Sequence, residues 1–525
     1  MSVISPPSPQ AAAPPGGAAR EARPRSRVVR NVLSNWSAFL FNAVVGFALS
    51  PILVHGLGDA AYGVWALLVS MVGYLGLLDL GVRGAVTRYV ARYHATGDHT
   101  AAGRLASTAL TIFVGAAALV IAVSTGLSFI VDHAFHIPSA LVPAARIVVV
   151  LCGVNIAASL IGGVFGGIVT GLQRFDLSNG VGIGLGALRA VAIVLALHAG
   201  WGLVGLAAIQ LAVTLATTVA TAGIAARCYP ELTLALGRWS REEGRTVLSF
   251  GASASLIQVM GSLVLYSDSV VIGALLPVEK ITFFTIGASL TEYARSFVSG
   301  ISYTVMPLAS ALEGRGEMER VRATVISGAR IATLVVLPMV LTFMIRGDRF
   351  IDLWMGPAYG ESGGRVLWVL SIALWAVAGY QVVTVTMLGI NRHMGLIPGF
   401  VAEALANLAL SIILIPRMGI VGSAWGTTIP RLIASLWFAP WFVQRVLGIP
   451  MKALWRDIWI KPTLAMLPFA AATYGIERLW PASNLAVYFG QVGLVLPVAL
   501  AGAWLYCFTP EERRSWVRLV RRVPA

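Results

Sequence analysis

Charge is what this sequence has least of. Only 12% of its 525 residues are Asp, Glu, Lys or Arg, about half of the roughly 25% carried by a water-facing domain. A soluble surface of ordinary polarity cannot be built from it. Lysine is nearly absent: Lys280, Lys452 and Lys461 are the three. None follows a glycine, which excludes a phosphate loop of the GxxxxGK[ST] kind. Cys152, Cys228 and Cys507 are odd in number and far apart, so there is neither a disulfide framework nor a metal-ligand spacing. No HExxH and no DxD pair occurs, which removes the zinc-hydrolase and metal–sugar-diphosphate motifs. Asp132, His133 and His136 cluster in one loop, too few ligands for a metal centre. Long polar stretches between apolar runs are missing too; the longest outer connection, about residues 346–365, is too small for a folded domain. No enzyme is expected, and no cofactor.

What is present is apolar. Hydrophobic residues make up 57% of the chain, in runs of about 20 residues, the length that crosses roughly 30 Å of hydrocarbon. The fold class is an all-α polytopic membrane protein. Fourteen spans are expected, near 32–54, 61–82, 105–131, 143–170, 179–198, 203–225, 246–276, 281–311, 323–345, 366–389, 396–415, 420–441, 458–476 and 485–507.

The net charge of +15 is almost all arginine. It is spread through short loops rather than gathered on one basic domain, so anionic lipid headgroups are the expected partner and nucleic acid is not. With the N-terminus inside, 28 of the 38 basic residues fall in cytoplasmic segments and seven in outer ones; both termini are then cytoplasmic. Residues 1–30 lack an apolar stretch and read as a disordered basic tail, not a signal peptide. VLS at 32–34 and again at 247–249, each opening a long apolar run and an aromatic-led second span, hints at two halves that enter the membrane in the same direction. Parallel repeats of this kind place a substrate site between the halves. The expected units are 31–226 (spans 1–6), a linker at 227–245, 246–443 (spans 7–12), an added pair at 444–507 and a basic cytoplasmic tail at 508–525. GGVFGG at 162–167 has small-xxx-small spacing and reads as close helix packing.

Polar residues inside spans are costly and so informative. Glu292, Arg295, Ser299 and Tyr303 fall at i, i+3, i+7 and i+11, one stripe on a helix face. That stripe is expected to line a water-filled cavity. Asn35 and Asn42 in span 1 and Gln258 in span 7 are further polar candidates. Glu403 and Arg431 lie at similar depth on neighbouring antiparallel spans and are expected to pair. Asp268, Glu292 and Glu403 are the carboxylates deep in spans, hence candidates for coupling to H⁺ or Na⁺. GYLGLLDLGVRGAVTRYVARYH at 73–94 ends span 2 with Asp79, Arg83, Arg88 and Arg92, which anchor the helix end or face a ligand.

GLGDAAYGVWALLVSMVGYLGLLDLGVRGAVTRYVARYHATGD at 56–98, and above all LGxxxYGxWALL at 57–68 and LLDLG at 77–81, resembles the first hairpin of bacterial polysaccharide flippases. These belong to the multidrug/oligosaccharidyl-lipid/polysaccharide exporter superfamily. SDSVVIG at 267–273 resembles the start of that family's second lobe. The resemblance implies two six-helix lobes around a central cavity, in a bacterial inner membrane. It also implies movement of polyprenyl-pyrophosphate-linked oligosaccharide from the inner to the outer leaflet by alternating access. Arg83 and Arg88 would then receive the pyrophosphate at the cytoplasmic mouth and Arg295 would hold it in the cavity, with polymerase or glycosyltransferases as further partners. A multidrug/organic-cation antiporter of the same superfamily, and a polysaccharide polymerase or ligase, are the competing readings; mid-span arginines weigh against a cationic cargo.

Overall fold

The computed structural model describes residues 24–237 and 239–514; most of the two expected basic tails lies outside them, as do the side chains of Gln258 and Tyr303. Among the described residues there is no strand. The helices run α1 (Pro24–Leu57), α2 (Asp59–Gly73), α3 (Val82–Thr96), α4 (His99–Ser128), a short α5 (Val131–Ala134), α6 (Val142–Gly171), α7 (Phe175–His198) and α8 (Gly202–Cys228). After a linker come α9 (Arg241–Leu275), α10 (Glu279–Gly314), α11 (Met318–Met355), α12 (Pro357–Gly389), α13 (Ile397–Met418), α14 (Ile420–Ile433) and α15 (Ala439–Leu447). The chain closes with short α16 (Met451–Leu454) and α17 (Lys461–Ala465), then α18 (Leu467–Leu479) and α19 (Leu485–Tyr506).

Local chemistry sets the boundaries. Between α2 and α3 the chain tightens into a 3₁₀ turn at Tyr74–Asp79, then passes through two left-handed residues, Leu80 and Gly81. A left-handed leucine is a strained conformation, so span 2 breaks here rather than leaving the membrane as a straight helix. Gly97 in the left-handed region closes α3, and the Asp98 carboxylate accepts from the Ala101 N–H at 2.9 Å to open α4. Ser240 opens α9 in the same way, accepting from the Glu243 N–H. Two π-turns, Ala434–Phe438 and Trp455–Ile460, loosen the backbone, and the Trp455 indole donates to the Leu436 carbonyl of the other at 2.6 Å.

Buried side chains form one core in each half. Val82, Val86, Leu105, Phe113, Val164 and Ile168 join α3, α4 and α6; Val298, Val325, Val336, Leu374 and Val382 join α10, α11 and α12. A third core, with Val64, Leu67, Val148, Ile272, Val278 and Val366, crosses between the halves. The pair α18–α19 packs on α11, where Leu334 and Leu337 meet Phe469 and Ala499. Arg346 fixes the same pair. It is 1% exposed, donates to Glu477 and Gln491 at 2.5 Å each and lies over the Tyr488 ring at 4.5 Å.

Ten helices among the described residues are long and apolar enough to cross a membrane. The other four of the expected fourteen spans match α9, whose Val259–Leu275 stretch is apolar but shorter, the more polar α10, and two helices broken by π-turns, α14–α15 and α16–α18. The stretch 346–365 departs from expectation. It is not a loop: α11 continues through a kink at Arg346 (φ −135°) to Met355, and α12 starts after Gly356 alone.

Candidate transport site

Three helices carry most of the polar candidates. On α10, Glu292 and Arg295 lie one turn apart, and the guanidinium meets the carboxylate through two bonds, Nε to Oε2 at 2.8 Å and Nη2 to Oε1 at 2.5 Å. Both side chains are about two-fifths exposed. Ser299, one turn on, donates to the Arg295 carbonyl and accepts from Gln381 of α12 at 2.6 Å. The stripe is thus real as a partly exposed polar face, but its two charges neutralise each other.

In the second half, a buried polar network joins α9, α13 and α14. Asp268 is 7% exposed and accepts from Ser423 at 2.7 Å and from Thr427 at 2.9 Å. Asn407 donates to Thr427 at 2.8 Å and accepts from Ser267 at 2.9 Å. Ser411, one turn beyond Asn407, is buried with its hydroxyl unpartnered. Beside this network the expected pair is present: Arg431 donates from Nε to Glu403 at 2.8 Å, with the carboxylate 6% exposed. Of the three expected coupling carboxylates, Glu292 and Glu403 therefore have guanidinium partners, while Asp268 is held by hydroxyls. Sequence reasoning had named Asp268 without Ser267, Asn407, Ser423 and Thr427 as its company, although Thr427 shares a helical stripe with Arg431.

The first half supplies Arg83. It stands just past the left-handed break, half exposed, with its Nε 3.6 Å from Asp79 and its Nη2 reaching the Ser159 carbonyl of α6. Gly163 makes room for it; a Cβ there would sit 3.0 Å from the Arg83 Nε. The glycines at 163 and 167 thus serve two ends, since Gly167 packs on Val86 while Gly163 seats a guanidinium. Arg88 lies one to two turns on, near the Tyr89 ring. Asn35 accepts from Asn179 of α7 at 2.7 Å, and Asn42 donates only to the Ala38 carbonyl of its own helix. Asp132 is taken by Arg146, at 2.9 and 3.1 Å.

The halves meet through hydrogen bonds where α2 begins, and again just past its end, where the Tyr74 hydroxyl donates to the Leu263 carbonyl of α9 at 3.4 Å. The Tyr359 hydroxyl of α12 donates to Asp59 at 2.7 Å, and Thr282 of α10 donates to the Asp59 carbonyl at 2.7 Å. The Trp354 indole donates to the Phe47 carbonyl and stacks on its ring at 4.8 Å. Gly63 abuts the Val278 carbonyl so closely that a Cβ would lie 2.1 Å from it.

Residues 28–313 match the family described as polysaccharide biosynthesis protein, a span that holds α2, the break, Arg83, Asp268 and Arg295. The chain belongs to this family. Relatives extend the likeness over most of the length. A Shigella flexneri protein named as a proposed O-antigen transporter is 19% identical over 80% of this chain and 99% of its own. An uncharacterised Bacillus subtilis membrane protein, EpsK, is 20% identical over 82% and 85%. Among solved structures, the lipid II flippase MurJ in an inward closed conformation overlays with a TM-score of 0.68 at 11% identity, covering 90% of this chain and 98% of that one. An inward-facing MATE multidrug transporter of the MOP superfamily gives 0.65 at 16% identity, over 82% and 99%. At these identities the structures show the fold: two lobes of packed helices, as expected for this superfamily.

Proposed function

We propose that the chain is a flippase that moves polyprenyl-pyrophosphate-linked oligosaccharide from the cytoplasmic to the outer leaflet of a bacterial inner membrane. The cargo would feed surface polysaccharide assembly. The family supports it, and the Shigella relative and the MurJ neighbour carry names of the same kind of work. The observation that carries it is Arg83. A half-exposed guanidinium is fixed over a helix of the first lobe, on a backbone break, with a weak carboxylate contact rather than a tight pair. A guanidinium offers several N–H donors in a fork suited to phosphoryl oxygens. Loop charges support a cytoplasmic N-terminus, which puts Arg83 and Arg88 toward the cytoplasmic half and the Asp59–Tyr359 contact at the outer end. In that orientation the Asp59–Tyr359 contact would close the outer end. Arg295 would meet the cargo as a pair with Glu292, so it acts by exchanging one partner for another. Polymerase or glycosyltransferases would take the product.

Asp268 is the favoured place for coupling to H⁺ or Na⁺, because hydroxyls rather than a guanidinium hydrogen-bond its carboxylate. If an ion gradient drives export through it, Asp268→Asn should abolish the loss of export that follows collapse of the gradient. An unchanged response in that variant removes the assignment.

The deciding experiment measures lipid-linked oligosaccharide in each leaflet of cells lacking this chain. Intermediates trapped inside, released by the wild type and partly by Arg83→Lys but not by Arg83→Ala, are the expected result. An unaltered pool with changed sensitivity to cationic drugs would instead favour the multidrug antiporter, the reading to which the MATE likeness belongs.

A further inference from the structure

Among the arginines within spans, most are matched by a carboxylate: Arg295 by Glu292, Arg431 by Glu403, Arg346 by Glu477. Arg189 of α7 is different. Its Nη1 donates to the neutral Gln210 of α8 at 3.0 Å, its Nε is buried with no partner, and no carboxylate among the described residues pairs with it. Nor does it point to the outer surface of α7. That surface is marked by Leu188, Val191 and Leu195, each more than half exposed, whereas Arg189 shares its side with the buried Ile193 and Ala196.

A second orphan lies close to the same level. Thr218 of α8 donates to the Ala158 carbonyl of α6 and closes on Gly162. The two helices run in the same direction: Leu203 shares a core with Val148 at one end, and Ala225 with Val169 at the other. Stepping back along both puts Asn155 within about one turn of Gln210 in height along the helix axes. The Asn155 Oδ1 is buried and has no partner. Buried polar atoms are nearly always satisfied. An unmatched cationic donor and an unmatched acceptor in one lobe therefore ask for a ligand that accepts from the first and donates to the second.

We propose that Arg189, with Gln210 and Asn155, forms an oxyanion subsite of the first lobe, taking the phosphoryl oxygens of a sugar diphosphate on Arg189 and a neighbouring hydroxyl on Asn155. This rests on the reading that the cargo carries a diphosphate. Gln210 positions the guanidinium; it does not supply the charge. On entry from Arg83, the diphosphate would leave one arginine for another deeper in the same lobe.

The test is calorimetric titration of the detergent-solubilised full-length protein with inorganic pyrophosphate. Arg189→Gln is expected to weaken binding at least tenfold, Arg189→Lys to fall between, and Gln210→Leu, which frees the guanidinium without removing its charge, to weaken it less than Arg189→Gln does. A purely structural Arg189–Gln210 contact predicts another pattern: both Arg189→Gln and Gln210→Leu lower the melting temperature alike and leave the affinity unmoved. That pattern, or wild-type affinity in folded Arg189→Gln, overturns the subsite. Arg83→Gln separates the two readings. Binding lost in Arg83→Gln but intact in Arg189→Gln rejects this subsite and leaves the flippase reading standing. Absence of binding in the wild type rejects the subsite, and the leaflet measurement then judges the flippase reading by itself.

Discussion

Glu403 and Arg431 show what a buried charge requires at the scale of one residue. With the carboxylate 6% exposed, removing one partner leaves the other charge stranded, a loss of about 3–5 kcal/mol, whereas replacing both by apolar groups is often neutral. Arg431→Met alone is therefore expected to lower thermal stability sharply, and the double variant Arg431→Met with Glu403→Leu to recover most of it. Melting curves of the three proteins check this; equal losses in single and double variants would contradict it. This pair was legible in the sequence, because consecutive antiparallel spans put opposite charges at one depth. The partners of Arg346 were not. Glu477 and Gln491 lie more than 130 residues away, and no local spacing points to them. The same holds for Arg189, whose isolation is visible only once every carboxylate has a place.

At the scale of the element, α2 joins the two lobes. Its first turn offers Asp59 to Tyr359 and Thr282, and Gly63 one turn later lets the Val278 backbone come close. A side chain at position 63 has no space in this state, so Gly63→Leu should drive the lobes apart where α2 begins. Cysteines placed at Asp59 and Tyr359 should be joined by a short bifunctional thiol reagent in the parent protein and fail to be joined in the Gly63→Leu background. Undiminished cross-linking would show that the contact yields elsewhere. The sequence displayed this stretch as its most distinctive motif, and its composition as a span was readable. The break at Leu80–Gly81 was not, since a left-handed leucine depends on tertiary packing. The π-turns of spans 12 and 13 were hidden for a similar reason: carbonyls such as that of Leu436 find partners only in the folded protein.

Across the whole molecule, the added pair α18–α19 is fastened to α11 near both ends, by Arg346 at one and by the Arg330–Glu512 pair at the other. The Glu512 carboxyl sits below its ordinary range. Burial alone would raise it, but the Thr509 N–H and then the Arg330 guanidinium outweigh that effect. A carboxylate lowered on folding contributes stability above its unfolded pKa of about 4.3 and loses it as pH falls through the folded value. The protection of amides in residues 507–514 relative to their intrinsic exchange should therefore fall on acidification below about pH 4, and Glu512→Gln should show low protection already at neutral pH with little further change. The linker before α9 has a consequence of its own. Its backbone donates to Ser107 and Thr108 of α4, its Tyr229 is hydrogen-bonded to His99, and Val247 beyond it joins the first core. Sequence places it between two lobes, yet it is fastened to one. A fluorophore on the exposed Leu236 would thus ride with the first lobe, and paired with a second dye on the exposed Leu388 of α12 it would serve as a ruler for the rocking of the transport cycle.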